Sequence, residues 1–258
     1  MPQCLGTSAS TGVRCRRLRG LDAHGYCQDH GWQRLPRCHG VKRDTGQPCR
    51  KPAKTGYAFC CSAHDPAILY IAPGVLDQEG ALLRHRVQNG IVARYNSNDI
   101  YNRVPLDLTT TGALELDHIV EKQCFTSALS KMGLRQGEDN FEVATDMLRD
   151  SVVHEFDNLA LTCKSTNRIK GAAVFHFLDD DRTGHRGQTT FTRYLCAEVR
   201  DGESLGRDVT RRITRNMRRS MKVCQRTLAD EGETPVLEQL SGQLQQLLYV
   251  AMDLHGAH

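Results

Sequence analysis

Two sets of residues in this chain have types and spacings that could do chemistry. The first is a repeat of thiols and imidazoles. Cys4, Cys15, Cys27 and His30 recur 34 positions later as Cys38, Cys49, Cys61 and His64. Gly6/Gly40, Thr11/Thr45, Gly12/Gly46 and Arg16/Arg50 follow the same offset, and Cys60 is left over in the place of Tyr26. Three thiolates and one imidazole form a closed tetrahedral zinc site, and a terminal Cys-x-x-His is short enough for both ligands to reach one ion. A buried-cysteine reading does not account for so many positions in register. Segments this small and polar need such a staple to fold. The expectation is two structural zinc ions.

The second set is an acidic residue beside a histidine, Asp117-His118, in an apolar setting, "LELDHIV". Some 40 residues later comes "FDNLALTCKSTNRIKG". "NLALTC" alternates as a strand does. Ser165 or Thr166 can cap a helix starting immediately after it, with apolar residues at Ile169, Ala173 and Phe177. The order is strand, strand, helix, with Asn158 on the second strand and Asn167 near the start of the helix.

"LDHIV", "DNLAL" and "NRIKG", over residues 112–178, resemble the HNH endonuclease family with its ββα-metal fold. The resemblance implies a metal-dependent DNA endonuclease. His118 would be the general base. Asp117 and Asn167 would bind a catalytic magnesium or manganese ion. Asn158 would steady the loop that bears the histidine. Chemically, a neutral imidazole can take a proton near neutral pH. A hard divalent ion on carboxylate and amide oxygens stabilises developing charge, and two protein ligands leave positions open for phosphate and water. Lys170 and Arg168, read as lying in the first helical turn, are candidates to contact phosphate. His154 and His176 are nearby histidines read as ordinary surface or core residues. Cys124 and Cys163 lack the second cysteine of a zinc knuckle and read as core thiols. The N-terminal copies look like small Cys3His modules attached to various nucleic-acid enzymes.

These sets need elements to position them. The chain of 258 residues can build a real core, and its expected class is α+β: zinc-stapled N-terminal modules, a central ββα core and a helical C-terminal region. The expected boundaries are 1–34 and 35–66 for the modules, 67–111 for a linker and helical region, 112–178 for the core and 179–258 for the rest. Between the strands, "FTSALSKMGL" and "FEVATDMLRDSVVH" carry helical patterns. The net charge of +4 is segregated: residues 1–64 carry +8, residues 65–206 carry −6 and residues 207–226 carry +7. Basic blocks suit a polyanion, above all double-stranded DNA. Arg16, Arg17, Arg50 and Lys51 beside the repeated cysteines are candidate DNA contacts. So are Arg211, Arg215, Arg218, Arg219 and Lys222, opposite the apolar face Val209, Ile213, Met217, Cys224 and Leu228 of one helix. After "TP", Leu237, Leu240, Leu244, Leu247, Ala251 and Leu254 recur at coiled-coil spacing, which suits either a homodimer or docking on the chain's own core. No apolar run is long enough for a membrane span. With no signal-peptide pattern and cysteines suited to metal, the expected location is intracellular. Added modules suggest site-specific cleavage, restriction- or homing-like. The competing expectation is a zinc-dependent regulatory protein that binds nucleic acid without cleaving it.

Overall fold

A computed structural model describes residues 2–8, 11–77, 80–110, 112–230 and 234–252. The chain forms two compact units, Met1–Ile68 and Leu69–His258.

The first unit has almost no regular structure, as its lack of apolar periodicity requires. Its backbone is held by single antiparallel bridges, Thr7 to Arg14 and Leu21 to Cys27 in one copy, Val41 to Pro48 and Arg37 to Pro52 in the other. Short 3-10 turns follow at Gly31–Arg34 and Ser62–His64. The buried apolar residues here are the cysteines themselves: Cys4, Cys27, Cys38 and Cys49.

The second unit is built round a two-stranded hairpin. Helix α1 (Gly80–Arg94) precedes strand β1 (Leu114–His118). Helices α2 (Lys122–Lys131) and α3 (Asp139–Met147) fill the excursion to strand β2 (Leu159–Cys163), and helix α4 (Lys164–Thr183) follows at once. The strands pair antiparallel, Leu116 opposite Leu161 and His118 opposite Leu159. Alternation therefore divides the hairpin into two faces. Leu116, Leu159 and Leu161 pack with Leu83, Val87 and Ile91 of α1. The opposite face carries Glu115 and Asp117, and α4 lies against it through Asn167 and Lys170. Helix α4 starts one residue before the expected cap: Cys163 precedes its first turn, and Thr166 is already helical.

Helix α5 (Phe191–Ala197), a minimal β3–β4 pair (Val199–Arg200, Glu203–Ser204), α6 (Arg207–Asp230) and α7 (Pro235–Gln245) complete the unit. On α6 the expected apolar face is inward, with Ile213, Met217, Cys224 and Leu228 buried. The leucine seam is not available for pairing between chains. Leu237, Leu240, Leu244 and Leu247 are buried in the main core, against α2, α3 and α6. Intrachain and interchain helix packing share one periodicity, so spacing alone did not separate them. Leu254 lies outside the described residues. The segment 67–111, expected as a linker and helical region, carries α1, and its Ile71, Leu76 and Tyr101 belong to the main core. Among the described residues no helix is long and apolar enough to cross a membrane.

Candidate active site and metal clusters

Each N-terminal copy gathers four ligand atoms. Cys4, Cys15, Cys27 and His30 lie within 4.8 Å of one another, as do Cys38, Cys49, Cys60 and His64. A tetrahedral zinc with ordinary bond lengths places its sulfurs about 3.8 Å apart and each sulfur about 3.6 Å from the ring nitrogen. Here Cys15 and Cys27 Sγ are 3.9 Å apart, and Cys49 and Cys60 Sγ 3.8 Å. The sulfur to Nδ1 distances are 3.7 and 3.2 Å at His30, and 3.4 and 3.1 Å at His64. Both donor sets fit a zinc ion. Gly6 and Gly40 recur because each histidine packs on them: an added β-carbon would stand 2.3 Å from His30 Cβ and 2.5 Å from His64 Cβ. Burial opposes ionisation of Cys4, yet N–H donors from Cys27 and Gly6 bring its thiol down to about 6, favouring the thiolate a metal needs.

The second cluster corrects one expected ligand. Cys60 joins it, and Cys61 stands beside it, 3.8 Å from Cys60 Sγ. The backbone shows why. Leu5 N–H bonds the Gly25 carbonyl in the first copy, whereas His39 N–H bonds that of Ala58 in the second. The register has slipped by one residue, so the structural equivalent of Cys27 is Cys60, and the extra residue falls before His64.

The second constellation lies at the end of the hairpin. His118 Nε2 is 3.1 Å from His154 Nδ1, and His154 Nε2 is 2.8 Å from the Leu76 carbonyl. That carbonyl only accepts, so His154 donates through Nε2 and, when neutral, accepts through Nδ1. His118 then donates through Nε2 and keeps its lone pair on Nδ1. Burial holds His118 well below the ordinary histidine range, with Lys122, His154 and Lys170 adding to the effect. Burial also lowers His154. Both shifts favour the neutral ring.

Asn158 is fully buried and all its polar groups are used. Its Oδ1 accepts from Val120 N–H at 2.7 Å and from Ser220 Oγ at 2.7 Å. Its Nδ2 donates to the carbonyls of Val120 and Val153 at 3.2 and 3.0 Å. The chain leaving His118 is thus pinned to β2 and α6 by one side chain.

Asp117 and Lys170 are placed differently from expectation. Lys170 lies in the second turn of α4 and is fully buried, so it cannot reach a phosphate on the surface. Its ammonium is 2.8 Å from Asp117 Oδ1, 2.9 Å from Glu121 Oε1 and 2.7 Å from the His118 carbonyl. Burial opposes its charge, but Asp117 and Glu121 outweigh that and raise its pKa. Tyr101 Oη donates to Asp117 Oδ2 at 2.6 Å. Asp117 is 1% exposed, so it is enclosed and not the open ligand expected. Burial pushes its carboxyl up to about 6 despite Lys170.

The oxygens here still suit a divalent cation in type. Asn167 spends its amide N–H on Glu115 at 3.0 Å, which leaves its carbonyl oxygen as the ligand atom. Asp117 accepts one hydrogen bond, from Tyr101 at Oδ2, while its Oδ1 meets the Lys170 ammonium as an ion pair without a hydrogen bond. Two carboxylates, Asp117 and Glu121, face one buried ammonium, and a third, Glu115, lies against Asn167 with Arg168 at 3.9 Å. Hard oxygens with surplus negative charge are what magnesium or manganese takes.

Sequence reasoning missed Asp99 and Tyr101. Asp99 Oδ1 accepts from the Tyr101 and Asn102 N–H groups. Its Oδ2 accepts from Asn102 Nδ2, Thr162 Oγ1 and Cys163 N–H. Burial would raise its carboxyl, but these donors hold it below the usual range. Asp99 fastens the 97–106 loop to β2. Two of its five donors, Thr162 and Cys163, come from residues over 60 positions away, which no local pattern signals.

Among the expected nucleic-acid contacts, Arg16, Arg17, Arg50, Lys51, Arg168, Arg211, Arg215, Arg219 and Lys222 are exposed, and Arg218 is half-buried. Arg17 pairs with Asp29 at 2.9 Å and Arg211 with Asp208 at 3.8 Å. Comparison of the chain with protein-family models, curated proteins and solved structures finds no match in any of the three.

Proposed function

We propose that the second unit is an HNH-type nuclease that hydrolyses phosphodiester bonds of double-stranded DNA, with two structural zinc ions in the first unit. The observation that carries this reading is the β1–β2–α4 order, with His118 at the end of β1 bonded to His154 through Nε2 so that its Nδ1 lone pair is left free. In this reading His118 Nδ1 takes a proton from water, whose oxygen attacks phosphorus. The P–O3′ bond breaks, leaving a 5′-phosphate and a 3′-hydroxyl. His154 fixes the tautomer of His118, and Asn158 fixes its loop. Asp117 and Asn167 would hold a magnesium or manganese ion, which supplies charge stabilisation at the phosphoryl and leaving oxygens. The basic residues of α6 and of the zinc modules would meet the DNA backbone. Site-specific cleavage, intracellular location and assembly on DNA as a dimer remain part of the proposal; the buried leucine seam takes no part in such a dimer.

A second reading has its own support. Lys170 and Tyr101 already engage both oxygens of Asp117, which suits a protein that binds nucleic acid without cleaving it. Plasmid incubated with magnesium or manganese decides between them. Nicked or linear product that disappears in His118→Ala supports the nuclease. Duplex binding with no wild-type cleavage under either ion supports the second reading and refutes the first.

A further inference from the structure

A concentration of arginines faces a cavity whose lining does not include His118. A depression of about 470 Å³ opens between the 98–103 loop and α6, and its wall includes Tyr95, Asn98, Arg103, Arg212, Arg215 and Arg219. A second depression, about 280 Å³, shares Tyr95, Asn216 and Arg219 with it and reaches Ile119, the residue after His118. The two adjoin through these shared residues, and together they are called the trough; its smaller part lies at the residue next to His118.

Four guanidinium groups line the larger depression against one carboxylate, Asp99. Asp99 is buried and committed to Asn102, Thr162 and Cys163. Among the described residues none of the four arginines has an ion-pair partner. Like charges gathered without counter-charge repel one another unless an anion joins them. Arg212 is held in place: its Nε donates to the Tyr101 carbonyl, which leaves its terminal nitrogens to present a fork. Guanidinium forks bind phosphate oxygens in a bidentate manner. Arg103 lines the cavity and sits at φ 57°, in the left-handed region that costs a side-chain residue strain. The volume exceeds what one phosphate fills, and Tyr95 offers an aromatic surface beside the charges.

We propose that this depression is a phosphate subsite for a nucleic-acid strand that continues along the trough toward His118. It seats a phosphate flanking the bond to be cut, with Arg103, Arg212, Arg215 and Arg219 as its ligands. The assignment rests on the nuclease reading for the direction of the strand, but strand binding itself does not require cleavage. The Tyr101 peptide that holds Arg212 also carries the hydroxyl bonded to Asp117. The subsite and the catalytic carboxylate are therefore positioned by one residue.

The test uses the full chain carrying His118→Ala, a fluorescent duplex and anisotropy titrations across a salt series. Arg103→Gln and Arg215→Gln should each weaken binding and lower the magnitude of the log–log salt slope by about 1, one phosphate contact fewer. Arg135→Gln, an exposed charge outside the trough, should leave the slope unchanged. Equal slope changes in all three variants would mean a general charge effect and overturn the subsite. So would unchanged slopes in the trough variants. A mononucleotide that binds the wild type without displacing the duplex would overturn strand binding in favour of a free nucleotide. Wild-type plasmid cleavage is scored separately, so a protein that fails to cut can still show or lack the subsite.

Discussion

Replacing Lys170 with methionine is the sharpest probe of the hairpin–helix junction. Methionine keeps most of the length and removes only the ammonium. Asp117, 1% exposed, would then keep a buried charge beside Glu121 with Tyr101 as its remaining donor. Removing one partner of a buried ion pair costs about 3–5 kcal/mol. The loss should depend on pH in a stated direction. In the wild type the folded pKa of Asp117 is raised to about 6, above the unfolded value of about 3.9. Such a group favours the fold fully below its unfolded pKa and loses that contribution as pH rises through the folded pKa. Without Lys170 the folded pKa moves higher still. The variant's deficit should therefore shrink as pH falls from 8 to 5, by up to about 1.4 kcal/mol per unit for one proton. Lys170, with its own pKa raised, stays charged throughout this window. Urea unfolding of the zinc-loaded protein, followed by helix ellipticity, reports the second unit, since the described α-helices all belong to it. Asp117→Asn/Lys170→Met should recover part of the loss. A Lys170→Met deficit under about 1 kcal/mol at pH 8, flat in pH, would refute the buried-pair reasoning.

Two further outcomes follow from the corrected placements. Cys60→Ser should lower bound zinc from about two to about one per chain by elemental analysis, while Cys61→Ser keeps about two; the reverse would restore the 34-residue alignment. Leu240→Arg should cost at least about 3 kcal/mol and abolish the second unit's cooperative transition, because Leu240 is fully buried in its own chain. If the variant stayed folded and merely changed its mass by light scattering, the seam would belong to a dimer.

Much of the candidate site was legible because it is local. The Cys and His positions repeat in register, and the hairpin–helix order follows from alternation, so β1, β2 and α4 fall where the motifs suggested. One ligand was misassigned because a constant offset hides a one-residue slip; the doubled Cys60-Cys61 was the visible hint. Lys170 was expected to contact phosphate as a catalytic-site residue, since nothing in "NRIKG" shows that Asp117 and Glu121 await it. Tyr101 and Asp99 lay in a segment read as a linker and helical region, and the partners that tie them to β1 and β2, namely Asp117, Thr162 and Cys163, are set by tertiary contact. Heptad spacing in α7 is the same whether the groove it fills belongs to its own chain or another.

The burial of α7 also bears on the order in which the chain becomes a protein. Each cysteine cluster closes within its own repeat, so metal can set both as soon as those residues are free in solution. The second unit has no such early closure. Its core is capped by Leu237, Leu240 and Leu244, which pack on α2 and α3 about 100 residues upstream. During synthesis from the N-terminus, the hairpin and its buried ion pair must wait with their apolar surface uncovered until the last helix arrives. A metal-set first unit would thus precede a folded second unit, and the interval between them is fixed by how far along the sequence Leu237, Leu240 and Leu244 stand.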